Sequence, residues 1–99
     1  MSYFVYKLIS PRTTFPQDIT DTEAKTMKEH STYWSDLASK KVAIIFGPVL
    51  DPMGIWGLAI IEANDKLEVN TYVANDPAIK ANIGFRFEIY QMAQAILRK

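Results

Sequence analysis

Val42-Ala-Ile-Ile-Phe-Gly-Pro-Val-Leu-Asp-Pro-Met-Gly-Ile-Trp-Gly-Leu-Ala-Ile-Ile61 holds twenty residues with Asp51 as their only charge. That is long enough to cross a bilayer if it forms one helix. The reading fails on its interruptions. Gly47, Pro48, Pro52, Gly54 and Gly57 break the run, and a carboxylate near the middle costs roughly 2.5 to 3.5 kcal/mol on insertion scales. Asp51-Pro52-Met53-Gly54 has turn chemistry instead, with proline presetting one backbone angle and glycine free to adopt a positive one. The stretch therefore predicts two strands, Val42 to Val49 and Ile55 to Ile61, joined by a loop. Both are nearly continuous apolar runs, as expected of strands covered on both faces.

Tyr3 to Ile9 is aromatic and branched and stops short of Pro11, which predicts a first strand. Ser10 to Ile19 contains two prolines among polar residues and reads as an irregular connection. Thr20-Asp21-Thr22-Glu23 is a capping box, so a helix follows. Met27, His30, Trp34 and Leu37 recur at helical spacing and form its inward stripe, while Lys25, Lys28, Glu29, Asp36 and Lys40 point mainly elsewhere. Past the central strands, Asn64 or Asp65 caps a second helix through Tyr72 and Val73. Asp76-Pro77 restarts it, with Asp as cap and proline in the first turn, and Gly84 ends it. Phe85, Phe87 and Ile89 alternate with Arg86, Glu88 and Tyr90 and predict a fourth strand to about Met92. The pattern of the remaining tail favours neither helix nor strand.

The order is β-α-β-β-α-β, an α+β, ferredoxin-like arrangement in which one antiparallel sheet carries two helices on one face. At 99 residues the chain is expected to form a single domain spanning 1–99. Two helices cover one sheet face only, and the other would leave an apolar patch of a kind rare on soluble monomers. A second copy packed sheet to sheet would cover it, so a homodimer is expected.

Composition narrows the chemistry. Eleven basic and eleven acidic side chains give zero formal charge, which offers no excess cation for a nucleic acid or an anionic membrane surface. With 48% hydrophobic residues and 22% charge, the chain can bury enough surface to offset its ordering entropy, so it is not expected to be disordered. There is no cysteine, hence no thiolate nucleophile, disulfide or zinc-thiolate site. No secretory leader pattern opens the sequence, so a cytoplasmic protein is expected. Phosphate-binding loops, dinucleotide fingerprints and metalloprotease or hydrolase signatures do not occur.

What remains is His30, the single histidine. Imidazole is the side chain suited to proton transfer near neutrality, and it sits here on an apolar stripe. A core histidine bonded to a carbonyl or carboxylate is the structural alternative. Asp76 likewise has a plain reading as a helix cap worth about 1 kcal/mol. In a split βαβ fold the helices lie side by side, so Asp76 can approach the inward face of the first. If it meets His30, the carboxylate fixes the tautomer and stabilises the imidazolium, giving a general base or acid. Trp34, Trp56, Tyr33, Met53 and Phe46 are candidates either for a ligand pocket or simply for the core. Arg86 and Lys80 are candidate anion clamps with an equally ordinary solvated reading.

Gly47-Pro48 after an apolar strand, the upstream helical His30 and the downstream Asn75-Asp76-Pro77-Ala78 together resemble the YciI-like (YCII-related) family over most of the chain. The resemblance implies a dimeric α+β barrel made by two facing sheets. It implies His30 and Asp76 as an active-site pair and Gly47 and Pro48 as the turn bordering its pocket. The chain is read as acting on a small-molecule ligand or substrate with no metal or organic cofactor, His30 moving a proton and Asp76 orienting it. One member of the family looks like a lyase that eliminates hydrogen chloride from a chlorinated hydroxyquinol. The extended Pro11 to Asp18 loop and the absence of arginine three residues before His30 depart from the usual pattern. The expectation is thus a small-molecule enzyme in which a His30-Asp76 pair performs general acid-base chemistry, with lyase-like elimination on a phenolic or halogenated substrate as one form of it. A noncatalytic small-molecule-binding or protein-interaction module, and a cofactor-free monooxygenase of the same barrel superfamily, are the alternatives.

Overall fold

The computed structural model describes residues 1–99. Its elements follow the order β1 (Ser2–Ile9), α1 (Asp21–Ser39), β2 (Ala43–Val49), β3 (Trp56–Ala63), α2 (Lys66–Ala74), α3 (Pro77–Lys80) and β4 (Arg86–Gln91). The four strands form one sheet in the order β2-β3-β1-β4, and every neighbouring pair is antiparallel. This is the ferredoxin-like α+β arrangement, with its second helical segment split into α2 and the single turn of α3.

Caps set the helix boundaries. Thr20 accepts from the Glu23 amide while the Glu23 carboxylate accepts from the Thr20 amide at 3.0 Å, so both halves of the capping box form. Asp65 accepts from the Glu68 amide at the start of α2. Asp76 does the same for Ala78 at the start of α3, with Pro77 in the first turn.

Strand periodicity divides the sheet into two unlike faces. Phe4, Tyr6 and Leu8 of β1 and Ala59, Ile61 and Ala63 of β3 are buried. They pack in one core with Trp34 and Leu37 of α1, Val69 and Val73 of α2, and Ala78 of α3. The intervening positions turn the other way. Val5 faces Ile60 across the sheet, and Ile60 faces Ile45. A bulge between Ala43 and Ile45 inserts Ile44, and Ile45 is left 60% exposed. The apolar runs of β2 and β3 are therefore covered on one face in this chain, not on both. No helix is long and apolar enough to cross a membrane.

Candidate functional site

Asp76 is the centre of the polar network. It sits between α2 and α3 with none of its surface exposed, where an uncompensated carboxylate would be strongly disfavoured. Compensation is complete. The Tyr6 hydroxyl donates to Oδ2 at 2.7 Å and the Trp34 indole N–H to the same oxygen at 2.9 Å, while the Ala78 amide donates to Oδ1 at 2.9 Å. His30 Nδ1 lies 2.9 Å from Oδ1 and 3.0 Å from Oδ2. Burial works against ionisation, yet the hydrogen bond and charge of His30, with Trp34 and the Ala78 amide behind them, hold the carboxyl below its ordinary range. The converse holds for Tyr6: burial first, and then the Asp76 charge, push its phenol far up. Tyr6 thus stays a hydroxyl donor.

An ionised carboxylate only accepts hydrogen bonds, so the His30 proton belongs on Nδ1. The lone pair of the neutral ring is then on Nε2. That atom has no protein partner and is not sealed from solvent. The side chain is 16% exposed. Helical spacing accounts for the convergence, because His30 and Trp34 are four residues apart on α1 and point to the same side. Both reach Asp76 from one element.

His30 lines a cavity of about 180 Å³ between α1 and the sheet. Tyr6, Leu8, Trp34, Phe46 and Pro48 contribute to its walls, as do Gly47, Gly57 and Phe85. Apart from His30 and the phenol of Tyr6, none of the lining side chains is ionisable. Gly47 and Pro48 thus border the cavity and Trp34 both borders it and holds Asp76. Among the other aromatic candidates, Phe46 and Trp56 line it. Tyr33 instead donates to the Tyr72 carbonyl at 2.6 Å, and Met53 is 83% exposed in the turn. Neither Arg86 nor Lys80 lines the cavity. No three His, Cys, Asp or Glu side chains come together in a way that would hold a metal ion.

Two participants escape a reading of the sequence. Tyr6 alternates as a buried strand residue should, but nothing local indicates that its hydroxyl meets a residue seventy positions on. Phe15 lies in the irregular connection, yet it is buried and forms part of the cavity wall.

The YCII-related domain matches residues 1–93. The chain belongs to that family. No curated protein matches it by sequence. Among solved structures, the chain is similar to 5-chloro-2-hydroxyhydroquinone dehydrochlorinase (TftG) from Burkholderia phenoliruptrix AC1100, in complex with 2,5-dihydroxybenzoquinone. The match has a TM-score of 0.67 and 21% identity, and covers 96% of each chain. At that identity the likeness concerns the fold, the α+β sandwich of a YCII-related domain.

Proposed function

We propose that this YCII-related protein is a cofactor-independent lyase in which His30 takes a proton from a small, single-ring substrate and Asp76 holds the imidazole. The observation that carries the reading is the accessible, unpartnered Nε2 of a histidine whose Nδ1 is fixed by a buried carboxylate. Asp76 has its oxygens occupied by four donors, so its part is to orient His30 and stabilise the imidazolium rather than to accept the proton. Size supports a ring as the ligand: an apolar cavity of about 150 Å³ is known to take benzene, and this one is about 180 Å³.

The similarity to a dehydrochlorinase supports elimination as the reaction. In such a step a chlorinated hydroxyarene reacts as its keto tautomer, in which the chlorine-bearing carbon is tetrahedral and carries a hydrogen, and Nε2 takes a proton from a ring hydroxyl. The O–H electron pair becomes a carbonyl bond, the enol double bond shifts onto the chlorine-bearing carbon, and chloride leaves with the pair of the broken C–Cl bond to give a quinone. The imidazolium then returns its proton to water. We further propose that the protein acts as a homodimer whose open sheet faces meet, since Val5, Ile45 and Ile60 form an apolar strip across three strands. The test is chloride release from chlorinated hydroquinones. Turnover by the native chain and its loss in His30→Ala with the fold retained is the expected result. Equal turnover by the two would overturn the reading.

A further inference from the structure

One part of the cavity wall comes neither from the sheet nor from α1. Phe15, on the connection from β1 to α1, is buried, and its ring meets that of Phe85 edge to face at 5.5 Å and 89°. Both rings line the cavity.

The connection that carries Phe15 is tied down by Arg12. Its guanidinium forms a two-pronged contact with Glu23 at 2.7 and 2.8 Å, at the start of α1. It also donates to the Asp18 carboxylate and the Asp18 carbonyl, each at 2.9 Å. One side chain thus joins both ends of the loop to the helix. Such a planar fork fixes direction as well as distance. Close approach of the neighbouring backbone adds to it. Gly84, with φ of 109°, leaves so little room that a Cβ there would stand 3.0 Å from the Pro11 Cβ.

We propose that Phe15, held in place by Arg12, is a specificity-determining residue that limits how long a substituent the ring in this cavity can carry. This rests on the single-ring reading of the ligand above. No Lys, Arg, Asp or Glu lines the cavity, so it discriminates among neutral rings by shape rather than by charge. With a volume of about 180 Å³, slightly above that known to take benzene, the cavity leaves little room beyond a single ring, and a long substituent directed at the Phe15 and Phe85 side of the wall would meet the Phe15 ring. In a rigid apolar pocket each misfitting methylene changes affinity by about tenfold or more.

Phenol, 4-ethylphenol and 4-butylphenol are suitable probes on the full chain. Quenching of Trp34 and Trp56, which both line the cavity, reports binding. The native chain should bind 4-butylphenol about tenfold or more weakly than 4-ethylphenol. Phe15→Ala should remove or invert that ranking, and Phe15→Leu should give an intermediate one. A circular-dichroism melt establishes which variants are folded, and the leucine variant decides the matter if the alanine variant is not. An unchanged ranking in the folded variants, or no binding of any phenol to any chain, overturns the proposal. If short phenols bind and His30-dependent chloride release occurs while the ranking is unchanged, the wall fails and the acid-base reading stands. Length-dependent binding that Phe15→Leu relaxes, with no chloride release, keeps the wall and removes the acid-base reading.

Discussion

Trp34 and His30, one helical turn apart on α1, both reach the same buried carboxylate: the indole N–H contacts Asp76 Oδ2 at 2.9 Å and the imidazole Nδ1 contacts Oδ1 at 2.9 Å. The helix therefore delivers the ring that is to move a proton together with one of the donors that keeps its partner ionised. Orientation of His30 and the charge state of Asp76 are built into one element and depend on one another.

Asp76→Asn puts an amide where two donors, the Tyr6 hydroxyl and the Trp34 N–H, now converge on one oxygen. Whichever way the amide turns, a buried donor loses its acceptor or the His30 contact changes sign, at a cost of about 1 to 3 kcal/mol. Thermal unfolding of the variant should show that loss. Chloride release should fall by roughly 100-fold or more, in line with the loss of a properly held general base. A variant as stable and as active as the native chain would remove Asp76 from the proposed chemistry.

Tyr6→Phe separates positioning from proton transfer. The substitution deletes the 2.7 Å hydrogen bond to Asp76 Oδ2 but leaves those from Trp34, Ala78 and His30. Stability should drop by about 1.5 to 3 kcal/mol, the range for a hydrogen bond to a charged acceptor, and activity should fall much less than in His30→Ala. Comparison of kcat for the two variants, with melts alongside, checks this. Equal losses would make Tyr6 part of the chemistry itself.

Acid should weaken the loop anchor within a defined window. The Arg12 hydrogen bonds, ahead of the Thr20 amide, lower the Glu23 carboxyl from an ordinary 4.5 to about 2, and Arg12 likewise lowers Asp18. Between those two values the unfolded chain binds more protons than the folded one, so stability falls as pH falls. The contribution is complete above about pH 4.5 and disappears as pH approaches 2. Denaturant titrations of the native chain and Arg12→Gln should show a shallower pH dependence for the variant across that window. Parallel curves would show that the anchor contributes nothing to folding.

These anchors also mark where the sequence is legible and where it is not. The capping box at Thr20 and Glu23 and the Asp76-Pro77 start of α3 are local devices, readable from four adjacent residues or two, and the structure forms both. Alternation along β1 likewise reveals its buried side. Phe15 is different: a lone aromatic between prolines has no period to betray burial, and its partner Phe85 is distant in the chain. The same applies to Arg12, whose contact with Glu23 spans eleven residues of irregular backbone. Met53 shows the opposite failure, because an apolar side chain in a turn carries no sign of whether it turns inward, and this one does not. The double-faced appearance of β2 arises from the bulge at Ile44, which interrupts the alternation on which a facing assignment depends.

That same bulge provides the last prediction. Ile45 is 60% exposed and stands opposite Ile60, which in turn faces Val5, so the strip it belongs to is apolar on three adjacent strands. If two copies meet through this face, Ile45→Glu places a carboxylate in an apolar contact, twice over by symmetry, at the cost of taking both charges out of water. Sedimentation equilibrium should find the native chain as a dimer and the variant as a monomer, with unchanged far-ultraviolet circular dichroism because Ile45 points away from the core. A native chain that sediments as a monomer, or a variant that remains dimeric, would show that the open sheet is not the surface through which copies associate.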